Sequence, residues 1–271
     1  MSTNLDGLKD HVHVADTTYD LHDDLAGVLM AAAINAVADR GVFHLALSGG
    51  STPEPFYMNL VVDPRFRGIP WQLTHAWIVD ERRVDEEDPR CNFRMIRQSL
   101  LDHVPMKSRQ MHPMPVLLED PATAYEEELR RVFFPSEAGL SPVAGAYDKL
   151  PRLDFVLLGM GDDGHTASLF PESPGLTEQR RWIAVNEGPK VTPPARVTMT
   201  YPLINAARQV VVLCTGGRKL SMLSRVSQCL KVYGPDPQRL PITGVKPMDG
   251  EMAWYLDGAA AGRAEATQTS A

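Results

Sequence analysis

The segment GMGDDGHTASLF, residues 159–170, carries His165 in a glycine-bounded turn instead of on an apolar face. An imidazole titrates near neutrality, so a histidine presented in this way is fitted to general acid/base work. Asp163 stands two residues earlier, where it can orient the ring, and Gly161 and Gly164 let the backbone bend sharply enough to present both. The alternative duty for His165 is a local one, capping the turn that follows together with Thr166 and Ser168. The segment also matches G-x-G-x-x-G, a dinucleotide-binding pattern. Asp162 and Asp163 argue against that use, because they set negative charge where a pyrophosphate would lie, and the match falls mid-chain instead of in the first βα unit. The other seven histidines have no comparable setting.

A second segment suited to chemistry is SGGSTP at 48–53, with Ser48, Gly49, Gly50, Ser51 and Thr52 between a strand and a helix. Thr52 can cap the helix, Pro53 suits its first position, and the glycines allow a tight turn with exposed N–H groups. Such a helix N-terminus favours a phosphate, although a plain capped turn reads the same way. No GK[ST] follows, so it is not a Walker motif. The run DERRV, 80–84, offers Arg82 for bidentate contact with substrate oxygens, held by Asp80 or Glu81. A solvated charged turn is the competing account. Lys190, Arg196, Arg218 and Lys219 are the remaining candidate cations. Lys219, in TGGRK, adds a positive charge at a helix start, where the dipole disfavours it unless an anion binds.

The elements that must position these groups are short apolar runs ending in glycine or charge: 42–47, 75–79, 153–158 and 210–214. They read as buried strands. Helical periodicity runs over 17–39, with Leu21, Leu25, Val28, Leu29 and Ala32 on one face behind a cap at Asp16 or Thr17. Further helices are expected over 53–61, 92–101, 122–134 and 219–230. Strands alternating with helices imply an α/β fold, a Rossmann-like, doubly wound, mainly parallel sheet with helices on both faces. Ligands bind beyond the carboxyl ends of such strands, so the four loaded segments are expected to converge on one crevice. A single domain over 1–257 is expected, with a frayed small-residue tail over 258–271.

The chain has 271 residues, 44% hydrophobic and 23% charged, enough for a substantial core. Its net charge of -7 argues against nucleic-acid or anionic-membrane partners, so an anionic substrate must meet a local basic cluster. Cys91, Cys214 and Cys229 form neither a disulfide framework nor a CxxC pair, and no metal-ligand spacing occurs. The N-terminus lacks the basic start and apolar run of a signal peptide, and no stretch approaches the roughly 18 apolar residues of a membrane span. A soluble cytoplasmic protein is expected, a monomer or weak homo-oligomer.

In order and spacing, SGGSTP, DERRV, GMGDDGHTASLFP, PPARVTMTYPLINAA and TGGRK resemble the 6-phosphogluconolactonases, from about residue 40 to Asp257. SGGSTP alone is shared with the related glucosamine-6-phosphate deaminases. The resemblance implies hydrolysis of a phosphorylated sugar lactone without metal or organic cofactor. It makes His165 the base and puts Arg82, Lys190, Arg196 and Lys219 in the substrate and phosphate site. Cys91 stands where the family is expected to have serine, and Val191 and Thr192 occupy a loop usually richer in proline. Both departures are expected beside the site and not in it. The deaminases need a glutamate five residues after the histidine, and here that position is Phe170. An apolar ring cannot relay protons, which favours the lactonase over the deaminase. A noncatalytic sugar-phosphate sensor is the reading from a different class.

Overall fold

The structure is a computed structural model and describes residues 5–8, 11–135 and 149–263. In chain order the elements are β1 (Val12–Ala15), α1 (Thr18–Arg40), β2 (Phe43–Leu47), α2 (Glu54–Val62), β3 (Thr74–Ile78), β4 (Asp80–Arg82), α3 (Asn92–Ser99) and β5 (Met111–His112). Then come α4 (Pro121–Phe133), β6 (Phe155–Leu158), β7 (Ile183–Glu187), β8 (Ala195–Met199), α5 (Tyr201–Asn205), β9 (Gln209–Cys214), α6 (Leu220–Val232) and β10 (Glu251–Asp257).

Seven strands form one parallel sheet in the order β1-β10-β9-β6-β2-β3-β5. After β2 the chain winds outward through β3 to β5; it then returns to β6, on the other flank of β2, and winds the opposite way through β9 to β10. Right-handed crossovers in opposite directions put the helices on opposite faces, as the alternating pattern predicts. The reversal falls between β2 and β6, so the loops after these two strands, which carry Ser48–Thr52 and Gly161–His165, flank the topological switch point.

The central strands β2 and β6 are buried along their whole length. Buried on both faces, they read as continuous apolar runs, which is why the sequence reveals them. The edge strands β1 and β5, and β10 beside β1, are shorter or more mixed and escape that reading. In α1, Thr17 accepts the Asp20 N–H as N-cap, and Leu21, Leu25 and Leu29 are fully buried, each contributing on the order of 1.5–3 kcal/mol. By length and composition alone this helix could cross a membrane, contrary to the expectation that no stretch comes near; here its apolar face is taken up by the core.

A second, antiparallel sheet, β4-β8-β7, was not foreseen from sequence. Val79 joins the two sheets: its N–H donates to Leu47 in the parallel sheet (3.0 Å), and its carbonyl accepts from Met199 in β8 (2.8 Å). DERRV is therefore a buried strand at Asp80–Arg82 and not a solvated turn, because pairing with β8 satisfies its backbone. The expected frayed tail needs correction over 258–263. Ala260 is fully buried, and Arg263 donates to Asp16 at 3.0 Å, tying this stretch to the end of β1. Residues 264–271 of that tail lie outside the described residues.

Candidate active site

Beyond the carboxyl ends of β2, β3 and β6 lies a cavity of about 350 Å³, closed on its other side by the small sheet. Ser48–Thr52, Asp80, Arg82, Gly161, His165 and Arg196 all line it. Three of the four loaded strand ends thus converge. The fourth, after β9, does not reach the lining.

The turn after β6 is built around His165. Its Nδ1 meets Asp163 Oδ1 at 2.5 Å, and the same carboxylate oxygen accepts the His165 backbone N–H at 3.1 Å. Burial alone would raise the Asp163 carboxyl, but these hydrogen bonds with His165 outweigh it and hold the group below its usual value. An ionised Asp163 fixes the proton on Nδ1, leaving Nε2 as the ring nitrogen able to accept one. Gly161 donates to the His165 carbonyl (2.8 Å), and a β-carbon on Gly161 would fall 2.1 Å from the imidazole. Only glycine lets the ring lie flat across the loop. Gly161 is thus explained by the histidine and not by a pyrophosphate, while Gly164 adopts a positive φ of 83°.

In β4, successive side chains alternate between faces. Asp80 and Arg82 face the cavity, while Glu81 turns to the other side and accepts the N–H groups of Asn92 and Phe93 (both 2.7 Å), anchoring α3. Neither carboxylate pairs with the Arg82 guanidinium, contrary to expectation, although Glu81 accepts the Arg82 backbone N–H at 2.8 Å. Asp80 accepts from Ser168 Oγ (2.6 Å), and Arg82 donates to the Arg90 carbonyl (2.5 Å). Arg196 is 4% exposed and donates to the carbonyl of Pro193. Burial, and then the neighbouring Arg82 charge, draw its pKa below the usual arginine value.

The phosphate loop differs in detail from expectation. Pro53, not Thr52, occupies the cap position of α2 and makes no side-chain cap bond, and Tyr57 steadies the loop by donating to the Ser48 carbonyl at 2.7 Å. A β-carbon on Gly49 would fall 1.9 Å from Asn92 Oδ1, so this glycine is needed for close approach. Asn92 also donates to the Asp80 carbonyl at 2.8 Å. In the sequence Asn92 shows only as the first residue of a helix, and its place at the head of the helix that follows the charged strand Asp80–Arg82 was the available signal. Among the described residues, Ser48 Oγ, Asn92 Oδ1 and Arg82 Nε are buried without partners, and all three belong to cavity-lining residues. Such concentrated unsatisfied polarity marks a ligand site better than it does a structural core.

Lys190 is exposed and absent from the lining. Lys219 also lies off the lining, its ammonium 2.5 Å from Asp162. The expectation that both belong to the site is therefore not met in this conformation. Among the described residues no group of three or more histidines, cysteines or carboxylates is arranged to hold a metal ion.

Residues 16–254 match the family model described as glucosamine-6-phosphate isomerases/6-phosphogluconolactonase. The chain belongs to this family. It is 42% identical over 227 residues to a 6-phosphogluconolactonase from Synechocystis, covering 82% of this chain and 85% of that one. It is 39% identical over 238 residues to the human GDH/6PGL endoplasmic bifunctional protein, covering 88% of this chain but 28% of the human one. The chain therefore spans just over a quarter of that bifunctional relative. A solved 6-phosphogluconolactonase from Trypanosoma cruzi superposes with a TM-score of 0.75 at 25% identity, covering 100% of this chain and 99% of that one.

Five residues after the histidine stands Phe170. Phe170 is 4% exposed, lies in the cavity wall and has its ring centroid 4.9 Å from that of His165. A β-carbon on Gly188 would meet this ring at 2.7 Å, so the phenyl group is wedged in place. Cys91 caps α3, its sulfur accepting from the Arg94 N–H (3.5 Å), a role serine would also fill. It lies off the cavity, as expected; Val191 and Thr192 instead form part of the lining.

Proposed function

We propose that the chain hydrolyses 6-phospho-D-glucono-1,5-lactone to 6-phospho-D-gluconate, the ring-opening step of the oxidative pentose phosphate route. The observation that carries this reading is the Asp163–His165 pair, set in a cavity that also contains two arginines and the Phe170 ring. The amides of Gly49–Thr52 with Arg196 receive the phosphate, joined by Lys219 once it leaves Asp162. His165 Nε2 takes a proton from water, and the hydroxide oxygen attacks the lactone carbonyl. Arg82 stabilises the tetrahedral oxyanion. As the intermediate collapses, the bond to the ring oxygen breaks and that oxygen takes the proton from the imidazolium. The acid formed then ionises, releasing one proton per turnover. No step calls on a cofactor.

Phe170 supports lactonase over deaminase action, since it offers no carboxylate to move protons during amino-sugar ring opening. Three free thiols, Cys91, Cys214 and Cys229, support a reducing, cytoplasmic setting. We take the working unit to be a monomer or weak homo-oligomer. The test supplies freshly made 6-phosphogluconolactone and, separately, glucosamine 6-phosphate, recording acid release from one and ammonia from the other. Acid release above the spontaneous rate is expected, with no ammonia. Ammonia without lactone opening would overturn the reading, and 6-phosphogluconate binding without turnover would make the protein a sensor.

A further inference from the structure

Lys219 is claimed by two anions. In the ligand-free structure its ammonium lies 2.5 Å from Asp162 Oδ1. The lysine side chain is 19% exposed and the aspartate 76%, so the carboxylate approaches from the solvent side and covers the charge. Asp162 sits at the tip of the His165 turn, next to Gly161 in the cavity wall, and the Gly161–His165 backbone bond fixes that turn. Lys219 directly precedes α6, in a turn held where the Asp257 carboxylate accepts the Gly216 N–H at 3.0 Å. The two charges are thus held outside the lining, beside Gly161 of the cavity wall, by separately anchored backbones. An exposed ion pair of this kind is weak, worth about 0.2–1 kcal/mol, and a phosphate dianion can displace it.

Resting on the lactonase reading, we propose that Asp162 is a built-in competitor for the substrate phosphate: it occupies Lys219 in the free protein and gives it up on binding, thereby setting affinity without taking part in the chemistry. The internal carboxylate also neutralises a cation that would otherwise attract any passing phosphate ester. The Asp162 carboxyl is held below its usual value by the Lys219 hydrogen bond and charge, so it competes throughout the neutral range.

The experiment measures 6-phosphogluconate binding by calorimetry, and KM and kcat on fresh lactone, for wild type, Asp162→Asn, Lys219→Met and the double variant. Asp162 is exposed, so its asparagine variant is expected to fold. Asp162→Asn should tighten 6-phosphogluconate binding and lower KM by about 2- to 5-fold with kcat unchanged. Lys219→Met should weaken binding, and in its background Asp162→Asn should have no effect. Unchanged or weaker binding in Asp162→Asn overturns the inference, as does equal tightening in the Lys219→Met background, which would indicate simple long-range repulsion. Lys219→Met binding as well as wild type would remove Lys219 from the phosphate site and sink the inference while leaving lactone hydrolysis untouched. Conversely, wild-type binding without lactone turnover would end the lactonase reading, and the binding comparison would still decide the role of Asp162.

Discussion

Arg82 and Arg196 are direct cross-strand partners in the antiparallel pairing of β4 with β8, and both line the cavity. Like charges facing each other across a ladder destabilise it by roughly 0.2–1 kcal/mol, so the pair makes physical sense as a clamp waiting for an anion. Ligand binding should then stabilise the fold, by about 2.7 kcal/mol at a hundredfold excess over Kd. Thermal melts of wild type with 6-phosphogluconate are expected to show that rise. In Arg196→Met the rise should shrink while the unliganded melting temperature holds or increases. An undiminished ligand shift in the variant would place the anion elsewhere.

If His165 is the base, His165→Ala should cut kcat by about 10²- to 10⁴-fold with little change in KM, after subtraction of spontaneous hydrolysis. Asp163→Asn keeps the shape but loses the ionised acceptor at Nδ1, so kcat should fall while 6-phosphogluconate still binds. Full turnover in His165→Ala would refute the mechanism.

Gly161→Ala tests how tightly the imidazole is positioned. The added methyl would sit 2.1 Å from the ring, so either the ring or the loop must move. A displacement near 1 Å can cost on the order of 10²-fold in rate, and overpacking costs about 1–3 kcal/mol in stability. Single-turnover rates and urea midpoints measured on the same variant separate the two losses. Wild-type kinetics would mean that the ring has another productive pose.

Away from the cavity lining, buried His44 and His112 form a group with half-buried His75. His75 Nδ1 lies 2.8 Å from His112 Nε2, His112 Nδ1 lies 2.7 Å from Glu128, and Trp77 donates to His44 Nδ1 at 3.3 Å. Burial first, with neighbouring cationic charge, pushes His44 down to about 3; burial outweighs Glu128 and pushes His112 down to about 4. The fold therefore keeps these rings neutral, while the unfolded chain takes up their protons from about pH 6.5 downward. The stability they contribute is complete above that pH and is lost toward pH 4, a fall on the order of a few kcal/mol. Burial raises the Glu81 and Asp154 carboxyls, which oppose this trend only at the acid end. Urea midpoints between pH 7 and 4 should drop, and His44→Leu should flatten the slope. A pH-independent midpoint would show that the cluster accepts protons within the fold.

The sequence determined the pieces whose cause is local. Glycine spacing around His165, the strand-to-helix turn at Ser48–Thr52, the apolar runs of β2, β3, β6 and β9, the cap and face of α1 and the apolar stripe of α6 are short-range consequences of side-chain size, backbone freedom and periodicity. From these the alternating α/β order and the switch-point crevice could be read. Only the tertiary structure decided how the cations are shared out. Arg82 and Arg196 meet because a three-stranded sheet, invisible in any single segment, pairs residues more than a hundred positions apart. Lys190 is left in solvent, and Lys219 is drawn to Asp162 by a contact between two loops. Charge in a sequence shows which groups can bind an anion; long-range pairing and burial decide which of them face it.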